Sequence, residues 1–103
     1  MFKVVIYKTF TNDNFLEQEL TDDEYQLELF SYKIGTVTHL SFVPPIGLEV
    51  RLRDTNYRVD TLMFDVVNSC FYVYETVDVT NIDLAKKLVS KYLQDGWQLA
   101  PTK

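Results

Sequence analysis

One cysteine, one histidine, three glycines and three prolines are spread over 103 residues, and each shortage removes a class of explanation. A single thiol, Cys70, cannot build an internal disulfide framework, so nothing points to an oxidising compartment. One histidine and one cysteine cannot anchor the three or four ligands of a zinc site. Gly35, Gly47 and Gly96 stand far apart, which leaves no phosphate-cradling glycine loop. So few glycines and prolines also argue against a linker-like or disordered chain. No apolar run nears the ~20 residues of a membrane span. The opening Met1–Tyr7 lacks the basic start, long apolar centre and cleavage site of a signal peptide. These absences predict one soluble, cytoplasmic domain over residues 1–103, without cofactor or metal.

Catalytic sets are short of parts as well. A nucleophile needs a base within hydrogen-bond reach and a third group to orient it. The sole candidates, Cys70 and His39, fall on different predicted strands, and no helix start or glycine elbow adjoins Cys70. The plainer expectation is that Cys70 is a small buried hydrophobe and His39 a strand-surface residue. Asp22-Asp23-Glu24 lacks the alternating spacing and turn glycine of a calcium loop. The sequence therefore predicts a protein that binds and does not catalyse.

The most informative absence is local. From Thr9 to Tyr32 there is no lysine or arginine, while seven of the fifteen carboxylates stand there: Asp13, Glu17, Glu19, Asp22, Asp23, Glu24 and Glu28. Elsewhere eight acids face ten bases, so the net charge of -5 originates in this one stretch. Such a field repels nucleic acid and anionic lipid and attracts cationic partners. Arg51, Arg53 and Arg58 on one hairpin, and Lys86, Lys87 and Lys91 on the helix, are the basic groups available, but Glu49, Asp54 and Asp60 accompany the arginines. Direct nucleic-acid binding is not expected.

What is present in quantity is apolar and aromatic: 47% hydrophobic, with seven Phe, seven Tyr and one Trp. Phe2–Phe10 reads as a strand apolar on both faces and so central and covered on each side. Phe15–Leu20 fits a short helix or a strand. Asp23–Ile34 alternates as a strand, Gly35 permits a turn, and Thr36–Val43 follows as another strand. Leu48–Arg53 and the return from Tyr57 form a hairpin about Asp54-Thr55-Asn56. The apolar phase slips between Val59 and Leu62, as a β-bulge would make it do. Cys70–Val79 is the last long strand. Thr80 with Asp83 imitates a capping box, Ile82, Ala85, Leu88, Val89, Tyr92 and Leu93 form one helical stripe, and Gly96 ends it. Trp97 and Leu99 are expected to fold back on the core. The fold class is α+β: a mostly antiparallel sheet of five or six strands with a C-terminal helix packed on it. The segment from Pro44 to Thr76 resembles part of a small SH3-like barrel in architecture.

The acidic stretch then carries the functional expectation. On a strand, Asp22, Glu24 and Glu28 project on one side about 6.7 Å apart per two-residue step. In general character the chain resembles small virus-encoded inhibitors of host or defence nucleases: short, acidic, aromatic-rich and without a catalytic set. That likeness implies a stoichiometric inhibitor, acting in the host cytoplasm, that presents Glu17, Glu19, Asp22, Glu24 and Glu28 to a basic, nucleic-acid-handling protein. Tyr25, Phe30, Tyr32 and Trp97 would be its hydrophobic anchors where exposed. Two alternatives stand beside it. A small-ligand site for a nucleotide or metabolite would use Arg51, Arg53 or Arg58. A structural or assembly subunit would use a free sheet edge and form homo-oligomers. Acidic residues on an edge strand also simply prevent aggregation.

Overall fold

The computed structural model describes residues 1–12 and 29–100. Among these residues seven strands and one helix follow in the order β1 (Phe2–Thr11), β2 (Ser31–Leu40), β3 (Glu49–Leu52), β4 (Thr55–Arg58), β5 (Thr61–Asp65), β6 (Cys70–Asp78), α1 (Ile82–Gln94) and β7 (Gln98–Leu99). Five strands form one sheet in the order β5-β6-β1-β2-β7, and β3-β4 is a separate two-stranded hairpin. Only β1 and β6 run parallel; the other pairs are antiparallel. The architecture is the expected α+β. It contains no closed barrel among the described residues, so the SH3-like reading of Pro44–Thr76 does not hold.

One side of the sheet makes the core. Alternation along β1 sends Val4, Ile6, Lys8 and Phe10 to that side. They meet Ile34 of β2, Val73 of β6, Tyr57 and Val59 from the hairpin, and Ala85, Val89 and Tyr92 of α1. Each such apolar side chain removed from water contributes about 1.5–3 kcal/mol before entropy is counted. The other side of β1 is only half-buried, so among the described residues β1 is central in the sheet but covered on one side, not two.

A charged pair sits inside this core. Lys8 and Glu75 are in direct register across the parallel strands, their side chains 7% and 8% exposed and 3.1 Å apart. The Lys8 ammonium also donates to the Asn56 carbonyl at 2.9 Å and the Tyr92 hydroxyl at 2.7 Å. Tyr92 in turn donates to the Asn56 carbonyl, and the Glu75 carboxylate accepts from the Arg58 N–H. Every proton of the ammonium therefore has a partner, the condition under which a buried ion pair is tolerated. The cluster joins sheet, hairpin and helix at one point.

A second polar knot fixes the hairpin tip to the end of α1. Thr55 Oγ1 donates to the Asp95 carboxylate and accepts from Trp97 Nε1 at 2.8 Å. Arg53 Nε donates to the Asp95 carbonyl at 2.6 Å, and the Asp54 N–H to the Asp95 carboxylate. The hairpin turn is Arg53-Asp54, starting one residue before the expected Asp54-Thr55-Asn56, with Arg53 at φ 59°. Positive φ at the first turn residue matches the twist of paired strands. Gly96, at φ 98°, ends the helix as expected and leaves room for the Arg53 guanidinium beside it.

Other local differences have physical causes. β2 runs straight through Gly35, where a turn was expected, because Gly35 pairs with Tyr7 and the tyrosine ring occupies the space of the missing side chain. The phase slip after Val59 is a change of sheet and not a bulge. Val59 still bonds to Leu48 of the hairpin, whereas Leu62 pairs with Val73 of the large sheet. The helix N-cap is Asn81, not Thr80, its side chain accepting from the N–H groups of Asp83 and Leu84. Trp97 is buried as predicted, but Leu99 is 64% exposed on the edge strand β7. The expectations for Phe15–Leu20, and for the part of the Asp23–Ile34 strand before Leu29, lie outside the described residues.

Candidate interaction surface

The side of the five-stranded sheet away from the helix, which no other described element covers, is the most distinctive surface of the protein. Register fixes its members: Val5, Tyr7 and Thr9 from β1, Lys33, Gly35 and Val37 from β2, and Tyr72 and Tyr74 from β6. Tyr7 lies beside both tyrosines of β6, with ring centroids 6.3 Å from Tyr72 and 5.7 Å from Tyr74 and interplanar angles of 5° and 23°. Tyr72 and Tyr74 are 6.4 Å apart at 18°. Three nearly parallel rings thus tile the centre of the face. The β1-β6 register produces this, setting Tyr7 opposite Tyr74 and Val5 opposite Tyr72 on the same side of the sheet.

Gly35 makes the arrangement possible. A Cβ there would stand 3.0 Å from two carbons of the Tyr7 ring, so any larger residue lifts the ring away. Lys33 then places its ammonium 4.5 Å from the Tyr7 centroid, a cation–π contact worth about 0.5–1 kcal/mol at an exposed site. Beside Tyr7 an open groove of about 370 Å³ runs to the β7 edge, lined by Val5, Gly35, Val37, Gln98 and Leu99 among others. Cys70 is buried as expected. The Cys70 side chain, two residues along the same strand, together with burial holds the Tyr72 phenol above its ordinary pKa.

The described residues hold eight acids and nine bases, and the strongest pairings are internal: Lys8 with Glu75, Arg53 with Asp95, Arg58 with Asp60. The arginines proposed for ligand binding each make a contact within the fold. Arg58 holds Asp60, Arg53 holds the helix end, and Arg51 donates to the Arg53 carbonyl. All three are exposed, and none lines the groove. The Arg58 hydrogen bond holds Asp60 below the usual carboxylate range, with the Thr76 N–H assisting. The Thr55 hydroxyl does the same for Asp95.

Of the residues proposed for partner contact, Glu17, Glu19, Asp22, Glu24, Tyr25 and Glu28 lie outside the described residues. Their tether is defined. The stretch 13–28 joins the paired ends of β1 and β2, where Thr11 Oγ1 donates to the Phe30 carbonyl at 3.2 Å and the Phe30 N–H donates to Asn12 Oδ1 at 3.1 Å. Phe30 is 7% exposed and Trp97 2%, so both belong to the core and neither can anchor a partner. Tyr32, half-buried, stacks on Phe30 at 5.8 Å.

For chemistry the described residues offer little. His39 pairs with Lys3 on β1, and Cys70 stands beyond β1 on β6, two strand spacings or roughly 10 Å away. No group of three metal-ligating side chains occurs among the described residues, and no helix among them is long and apolar enough to cross a membrane. The tyrosine face was missed from sequence. Tyr72-Val73-Tyr74 does alternate visibly, but the pairing that brings Tyr7 to it spans more than sixty residues. Comparison with protein-family models, with curated proteins and with solved structures gives no match.

Proposed function

We propose that the protein is a non-catalytic interaction module whose partner is a basic protein. The observation that carries this reading is the division of charge: eight acids and nine bases in the described fold, against seven unopposed carboxylates between Asn12 and Leu29. Solubility alone would be served by scattered charge. A single-signed segment tethered between two paired strand ends gathers negative charge in one stretch of the chain, and such a field steers a cationic partner. The tyrosine face begins four residues from that anchor along β1, roughly 13 Å. Its rings supply the flat π surfaces on which arginine side chains stack. The finer reading is a stoichiometric inhibitor that occupies the basic groove of a nucleic-acid-handling protein.

The test is neutralisation. Glu17, Glu19, Glu24 and Glu28 are changed to Gln and Asp22 to Asn, and an arginine-rich peptide is titrated into each protein at several salt concentrations by NMR. Binding to the wild type is expected to weaken as salt rises, to perturb Tyr7, Tyr72 and Tyr74, and to fall at least about tenfold in the variant, equivalent to 1.4 kcal/mol or more. Equal affinity with no salt slope removes the reading. The groove beside Tyr7 keeps a small-ligand alternative in view, its volume lying at the low end for such sites. That version rests on Tyr7 and Gln98 and not on the arginines.

A further inference from the structure

The large sheet stops at β5, and among the described residues nothing pairs with the outer edge of that strand. Natural edge strands usually carry a guard: a lysine, a proline, a bulge or an inward charge. Thr61-Leu62-Met63-Phe64-Asp65 has none of these in its middle, and Met63 and Phe64 are 48% and 50% exposed. Its one charge is terminal and occupied. The Asp65 carboxylate accepts from the N–H groups of Val67 and Asn68 and from the Asn68 side chain, which holds it below the usual carboxylate range. The small hairpin, by contrast, carries Glu49, Arg51 and Arg58 along its strands. At the other end of the sheet, β7 covers β2 at Ile34 and Gly35.

We propose that β5 is a self-association edge, on which a second copy of the chain lays its own β5 antiparallel about a two-fold axis at Met63. The sequence of the strand is self-complementary in that register, as an isologous contact requires. Leu62 falls opposite Phe64 of the second copy on the side where Phe64 already packs against Phe71 at 4.8 Å. Phe71 in turn meets Phe2 at 5.7 Å, so the apolar layer continues across the axis. Thr61 falls opposite Asp65 of the second copy. The two Asp65 carboxylates then stand at opposite ends of the paired strands, roughly 13 Å apart, and do not face each other. Met63 meets its own equivalent on the tyrosine side, next to Tyr72. Charge, polarity and side-chain size all fit a copy of this strand. The edge is short against the ~800 Å² per partner of a standard interface, so monomer and dimer should exchange at micromolar concentration. This inference stands on the β5 edge alone and is independent of the proposed basic partner.

Sedimentation analysis of the full chain from about 5 to 200 µM tests it. The wild type is expected to rise with concentration from 12.1 kDa towards twice that mass. Met63→Lys and Met63→Glu each set like charges at the axis and should remain monomeric, with circular dichroism showing that both are folded. Mixed in equal amounts, the two should regain the dimer mass. In the wild type, amide exchange in residues 61–65 should slow as concentration rises, a readout that needs no variant. A wild type that stays monomeric throughout overturns the proposal. So do variants that dimerise as well as the wild type, a mixture that fails to associate, or concentration-dependent protection confined to other strands.

Discussion

At the scale of single residues the protein depends on two polar groups placed where apolar ones would ordinarily go. Glu75→Gln leaves the Lys8 ammonium buried without its counter-charge, which should cost about 3 kcal/mol or more. The double variant Lys8→Met, Glu75→Gln should lose less than the two single changes added together. Urea denaturation of the four proteins measures both. Tyr57 is the reverse case: among the described residues its hydroxyl is the one buried side-chain polar atom with no hydrogen-bond partner, and burial raises its pKa. Tyr57→Phe removes that cost and should raise stability by about 1 kcal/mol. Protonation gives a third test. Asp60 and Asp95 are held below the usual carboxylate range when folded, so the stability they contribute is complete above about pH 4, the ordinary aspartate value. It is lost as pH falls through their lowered folded values. The urea midpoint should therefore hold level from pH 7 to pH 5 and drop at more acid values, with a shallower acid decline in Asp95→Asn.

At the scale of elements, Gly35 decides whether β2 and β1 can present the tyrosine face. Gly35→Val sets a branched side chain against Tyr7, where even a Cβ would stand at 3.0 Å. The ring should swing off the strand, and the Lys33 contact should go with it. The expected result is a folded protein with changed Tyr7 ring resonances in NMR and weaker binding of the arginine-rich peptide. Unaltered resonances would mean that the strand yields instead. The same element shows how much was legible beforehand. Alternation over Phe2–Phe10, the long strand from Cys70, the helical stripe from Ile82 to Tyr92 and the stop at Gly96 are local patterns that the structure reproduces, while Leu93, placed on the same stripe, is exposed. Gly35 misled because glycine signals either a turn or a close approach, and the ring that needed the space lies on another strand. Lys8 gave no sign of burial, since its partners come from Asn56, Glu75 and Tyr92. The change of sheet at Val59–Leu62 imitated a bulge because both shift the apolar phase by one.

At the scale of the whole molecule, charge and shape divide the labour. A fold close to electrical balance, with its ion pairs spent on joining sheet, hairpin and helix, supports one acid-rich segment and one open aromatic side. The acidic segment was the plainest feature of the sequence, while the tyrosine surface emerged only with the sheet order. Affinity isolation from the native source, with the wild type and the five-site neutralised variant as parallel baits at low and high salt, tests the combination most directly. The account predicts a basic protein, held in stoichiometric amount by the wild type at low salt, released as salt rises and absent from the variant. The same proteins captured by both baits at both salt concentrations would contradict it.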